Sequence, residues 1–113
     1  MNAMLLPKHK PIRSKRIRES ARGRPCTVRG PTCNRNPETT VWAHSPFRIH
    51  NNGGMGMKCG DLFGCYSCAD CHSWLAGLVN HSGPSESRTL AYHRAQDRSL
   101  QMLIEAGIVQ VKP

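Results

Sequence analysis

Residues 65–72 read Cys65-Tyr66-Ser67-Cys68-Ala69-Asp70-Cys71-His72, with three cysteines inside seven positions. Cys68 and Cys71 have the separation of a turn that enters a helix, and Cys65 and Cys68 repeat the same spacing. Cys26 and Cys33 lie upstream and can form a second pair, although their spacing is wider than the usual knuckle. Cys59 is a sixth candidate. Six ordinary reduced thiols would be the plainer account. The density of cysteine over 65–71 favours a metal site instead, since structural zinc takes four soft ligands in a tetrahedron.

Working outward, Thr40-Val41-Trp42-Ala43-His44 is β-branched and aromatic and predicts a strand, ended by Ser45-Pro46. Asn51-Asn52-Gly53-Gly54 and Gly56 predict a loop. Residues 61–66 predict a second short strand. A helix is expected from Cys68 to about Val79, starting on the cysteine turn. Residues 19–24 predict a short helical turn, and Cys26-Thr27-Val28 a brief extended segment. Gly83-Pro84 is a break. Ser87 is the expected cap of a last helix from about Arg88 to Ala106, stopped by Gly107 and anchored by Leu100, Leu103 and Ile104. The fold class is therefore α+β.

The chain has 113 residues, which is one domain with a modest core, and only 5% aromatic residues. A core this poor in large rings is usually stapled, and the cysteines offer the staple. No apolar run is long enough to span a bilayer, and no signal core is evident, so no membrane is expected. A reducing cytoplasm is the expected compartment, where clustered cysteines mean metal more often than disulfide.

The formal net charge is +9. Residues 1–24 carry eight basic side chains against Glu19 alone, and the remainder is nearly balanced. Residues 1–18 are thus expected to be a basic, flexible arm, with residues 19–113 as the folded domain. The arm's Lys8, Lys10, Arg13, Lys15, Arg16 and Arg18 are candidate contacts to a nucleic-acid backbone. Its deletion is expected to leave the fold intact. Lys58 and Arg48 are further phosphate candidates, with a plain surface role as the equal alternative. The glycine-rich stretch is no nucleotide-binding loop, because it lacks the strand–loop–helix context and the terminal Lys-Ser or Lys-Thr.

Ala43-His44, Gly54-Met55-Gly56-Met57-Lys58, Asp61-Leu62 and Cys68-Ala69-Asp70-Cys71-His72 together resemble the HNH (His-Me finger) endonucleases of phages and prophages. Ala21-Arg22-Gly23-Arg24-Pro25-Cys26 and the run from Cys33 to Val41 are similar to the small prophage-encoded candidate nucleases of the YbcO type. The resemblance runs from about Ile17 to Lys112. It implies a zinc-stabilised ββα-metal domain with a C-terminal helix and the basic arm in front. It also implies that Cys26, Cys33, Cys68 and Cys71 hold the structural Zn²⁺, with Cys59 and Cys65 as bystanders. His44 is then similar to the general base, a neutral imidazole that takes a proton from attacking water. His72 resembles the ligand of a catalytic divalent ion, Mg²⁺ or Mn²⁺. Asp61 stands where many such enzymes have Asn, and either orients His44 or joins the metal shell. His81 is a weaker ligand candidate. Ala43 departs from the family, in which Asp or His often precedes the base.

Two function classes follow. One is a metal-dependent DNA endonuclease of a bacterial host cell, linked to recombination or DNA processing. The other is a catalytically silent zinc module that binds nucleic acid or a recombination protein. The first gives His44 and His72 a duty and the second does not. A secreted disulfide domain is a distant third.

Overall fold

The computed structural model describes residues 12–47, 59–76 and 86–112. In chain order these form helix α1 (Lys15–Glu19), a 3₁₀ turn (Pro37–Thr39), strand β1 (Val41–His44), strand β2 (Gly64–Ser67), helix α2 (Ala69–Leu75) and helix α3 (Glu86–Glu105). The two strands pair antiparallel, with Val41 opposite Ser67 and His44 opposite Gly64.

Strand alternation puts neighbouring side chains on opposite faces, and here both faces are covered. Trp42 and its cross-strand partner Tyr66 meet Ile17, Ala21 and Leu103 on one side. Ala43 and its partner Cys65 meet Val28, Leu75, Tyr92 and Ala95 on the other. The hairpin is therefore a central layer, with α2 and the first half of α3 on one side and α1 and the end of α3 on the other. Ala43, the residue before His44, is 2% exposed and packs in this core.

The buried residues of α3 are Tyr92, Ala95, Ser99 and Leu103, which share one helical face. Of the expected anchors only Leu103 is buried. Leu100 and Ile104 are 39% and 36% exposed because they fall off that face. Ser99 is the polar member of the seam. Its Oγ accepts from Tyr66 N at 3.0 Å and donates to Ala95 O at 2.7 Å. Thr27 N donates to Tyr66 O at 2.8 Å, and Thr27 Oγ1 meets Ser99 Oγ at 3.0 Å. The outer edge of β2 is thus satisfied by Thr27 and Ser99 rather than left open to another strand. Gly107 ends α3 with φ 74°, its N–H on Ile104 O and that of Ile108 on Leu103 O, the pattern of a glycine C-terminal stop.

Several expectations change. The second strand begins at Gly64, three residues later than the sequence suggests, and Asp61 sits in the turn before it. Gly64 is required there, since a Cβ would lie 2.5 Å from Trp42 Nε1 and 2.9 Å from Ala43 O. Ser87 lies inside α3 rather than capping it. The expected arm through residue 18 overlaps the folded body: α1 spans residues 15–19, Ser14 Oγ caps Ile17 N, and Ile17 is 3% exposed. Ile17 in the core, with the hydrogen bonds of Ser14 and Arg18 to Asp61 and of Ser20 to Tyr66, docks this segment on the hairpin.

Candidate functional site

The first site is sulfur. Cys26, Cys33, Cys68 and Cys71 bring their donor atoms within 4.8 Å of one another. No disulfide joins them. Cys68 is the N-cap of α2 and accepts from Cys71 N at 3.4 Å, so the C-x-x-C turn is also the helix start. Cys71 accepts from Gly30 N at 3.4 Å. Burial raises Cys68, but the N–H groups of Asn34 and Cys71 outweigh it and bring the thiol down to about 7. Burial raises Cys33 and Cys71, against the N–H of Arg35 and of Gly30 respectively. Backbone donors thus aim at three of the four sulfurs. A group of four facing sulfurs, two of them fully buried, is a donor set that can bind a metal.

Cys59 and Cys65 stand outside this group. Cys59 donates to Phe63 O at 3.3 Å, and Cys65 is buried in the core, which pushes its thiol up to about 12.

The second site is a buried carboxylate. Asp61 is 0% exposed. Oδ1 meets His44 Nε2 at 2.7 Å. Oδ2 accepts from Ser14 N at 2.6 Å and from an Arg18 guanidinium nitrogen at 2.7 Å. Arg13 lies 3.8 Å from Oδ1 and donates to Cys59 O at 2.7 Å. The backbone joins in: Asp61 N donates to Ile12 O, and Trp42 Nε1 donates to Asp61 O at 2.9 Å. Burial would raise this carboxyl, but the bonds from His44 and Ser14 and the charge of Arg18 prevail and hold it below the ordinary carboxylate range. Asp61 is therefore ionised at neutral pH. His44 sits at the end of β1, partly exposed, at the mouth of this cage.

His72 follows Cys71 on α2 and is exposed, with its N–H on Cys68 O at 2.9 Å. Among the described residues one group of three or more metal-type donors occurs, the cysteines. So His44 and Asp61 are brought together, and His72 is not clustered with them. Lys15 pairs with Glu19 at 3.5 Å on the surface, and Arg16 is exposed. Lys8, Lys10, Arg48, Lys58 and His81 lie outside the described residues. The sequence reading missed Ser14, and it gave Arg13 and Arg18 to an arm rather than to Asp61. The available signal was Ser14 followed by Ile17, a cap and a lone apolar residue opening a helix.

No helix among the described residues is long and apolar enough to cross a membrane. In comparisons with known proteins, residues 15–108 match the family model described as "Putative nuclease YbcO". Two curated relatives bear that same description, one from Escherichia coli K12 and one from Enterobacteria phage 82. Each is 47% identical over 57 residues, half of this chain and 57% of the relative's length. The chain thus matches less than two thirds of these relatives. A solved structure, described as "a putative bacteriophage protein" from E. coli K-12 MG1655, superposes with a TM-score of 0.58 at 27% identity. The match covers 81% of this chain and all of that one. With its family model matched from residue 15 to residue 108, the chain belongs to the YbcO family of phage and prophage proteins, whose members are described as putative nucleases.

Proposed function

We propose that the protein is a metal-dependent endonuclease of HNH (His-Me finger) type that hydrolyses DNA phosphodiester bonds in phage recombination or DNA processing. The observation that carries this reading is the 2.7 Å bond between His44 Nε2 and Asp61 Oδ1. An ionised carboxylate only accepts, so neutral His44 keeps its proton on Nε2 and offers the Nδ1 lone pair. Nδ1 takes a proton from water as the oxygen attacks phosphorus and the ester oxygen leaves. The imidazolium so formed faces Asp61, which stabilises it without moving. Because both oxygens of Asp61 are engaged, orientation of His44 is its role rather than metal ligation.

The four cysteines fit a structural zinc. A tetrahedron with Zn–S of about 2.3 Å has sulfurs about 3.8 Å apart, and Cys33 and Cys68 are already 3.9 Å apart. A catalytic Mg²⁺ or Mn²⁺, when bound, neutralises charge on the phosphate and leaving oxygen. His72 is the described residue that would hold it, with His81 as a further candidate. Such an ion keeps several waters and needs few protein ligands. DNA is the partner, and a recombination protein is a second candidate.

The alternative, a catalytically silent zinc module that binds nucleic acid or protein, draws on the single group of metal donors among the described residues. A supercoiled-plasmid nicking assay with Mg²⁺ or Mn²⁺ separates the two. The parent should nick, and His44→Ala should abolish cleavage while zinc content and DNA binding persist. A folded, zinc-loaded parent that leaves the plasmid intact with either ion would sink the enzyme reading.

A further inference from the structure

We propose a second nucleic-acid surface, an arginine-edged groove between the Cys26–Cys33 turn and α3 that grips the phosphate backbone of duplex DNA. It rests on DNA being the substrate, but not on cleavage. Two concavities of about 440 and 370 Å³ adjoin here and share Arg29, Gly30 and Pro31. Arg35 edges the first, and Arg94 and Arg98 edge the second. Among the described residues no Asp or Glu lines either one.

The cations are not spent on nearby acids. Among the described residues none of these four arginines pairs with a carboxylate. Arg98 donates to Thr27 O at 2.8 Å, which holds its guanidinium at the groove wall. Four thiolates around a dication would leave negative charge beside Arg29 and Arg35. Backbone N–H groups of Gly30, Asn34, Arg35 and Cys71 already answer the sulfurs, however. Arg29 and Arg35 also have φ of 54° and 56°. That backbone favours glycine, which would meet the turn geometry without strain. Guanidinium groups stand there instead, and both are exposed.

The groove suits a backbone rather than a stacked base. Trp74, the one aromatic ring among its described lining residues, is already occupied. Gly30 lies so close that a Cβ would be 2.9 Å from the ring, and the Arg88 guanidinium sits 5.3 Å from its centroid. A charged groove without a free ring reads phosphates, not bases.

The test is fluorescence anisotropy of a labelled duplex with the full zinc-loaded chain across a salt series, without added Mg²⁺. Arg94→Gln should weaken binding and flatten the salt slope, by about 0.9 for each phosphate that is no longer neutralised. Arg29→Gln with Arg94→Gln should weaken it by about tenfold or more. Parent-like affinity and slope in both variants would overturn the proposal. Arg94 lies on α3 away from the sulfurs, so Arg94→Gln stays readable even where the Arg29 change disturbs the metal turn. A parent that captures a polyglutamate peptide through Arg94 but ignores the duplex would also overturn it. A parent that binds duplex through these arginines yet never nicks plasmid would support the groove and remove the nuclease reading alone.

Discussion

The cysteine cluster and the Asp61 cage solve the same problem, holding reactive groups still, with different materials. The cluster gathers its sulfurs on two turns, and backbone N–H groups orient them. The cage gathers one carboxylate, one imidazole and two guanidinium groups from three separated segments: residues 13–18, the end of β1 and the turn at Asp61. Both need long-range closure, 35 residues between Cys33 and Cys68 and 43 between Arg18 and Asp61, but a metal held by four sulfurs would offset that closure with far more binding free energy than the cage's ion pairs supply. The cluster should therefore determine whether the chain folds, and the cage should determine how well the folded chain works.

The sharpest way to break that comparison is to remove one sulfur. Cys71 is fully buried and accepts from Gly30 N, so Cys71→Ser removes one of the four candidate sulfur donors and loosens the contact between the two turns. We expect loss of stoichiometric zinc and of cooperative thermal unfolding, because metal binding in small domains is folding free energy. A zinc-free variant that melts like the parent would show that the core alone carries the fold.

The second test concerns the docked segment. Deleting residues 1–18 removes Ile17 from the core along with Ser14 and Arg18 from Asp61. The burial of Ile17 and these hydrogen bonds together should cost about 3 kcal/mol or more. Deleting residues 1–11 should leave chemical denaturation unchanged, while weakening DNA binding through loss of Lys8 and Lys10. Equal stability of the two truncations would place the segment outside the fold after all.

The same contrast explains what the sequence made legible. Cysteine spacing and helix stops are local signals, so the C-x-x-C turn and the Gly107 terminus could be read directly. The His44–Asp61 contact could be named as an option because a motif spans both residues. The role of Arg13 and Arg18 could not, since a cluster of positive charge looks the same on a free arm as on a docked one. Only the tertiary position of Asp61, 43 residues from Arg18, gives those charges a target. Leu100 and Ile104 misled for a related reason. Their spacing fits a helix, but Tyr92, Ala95 and Ser99 fix which face turns inward.

The smallest effect on stability should come from Asp61→Asn, which keeps the shape and removes the charge. Arg13 and Arg18 are 46% and 42% exposed, so water takes over part of what the carboxylate gave them. The expected loss at neutral pH is about 1–3 kcal/mol. Its pH dependence is the discriminating part. The folded protein holds Asp61 below the ordinary carboxylate range, so folding favours the ionised form. That stabilisation is fully present above the unfolded value of about 3.9 and disappears as pH falls through the lowered folded value. Parent and variant should thus differ most in melting temperature near neutrality and converge below about pH 4. Any acid release of metal from the proposed zinc site is common to both and cancels in the difference. The effect on cleavage should exceed the effect on stability. The amide of the variant side chain can present its NH₂ to His44 and then favours the tautomer with the proton on Nδ1, the atom that the proposed mechanism needs unprotonated. A gap in melting temperature that stays constant from pH 7 to pH 3 would mean that Asp61 acts by shape. Undiminished cleavage by the variant would mean that His44 does not need it.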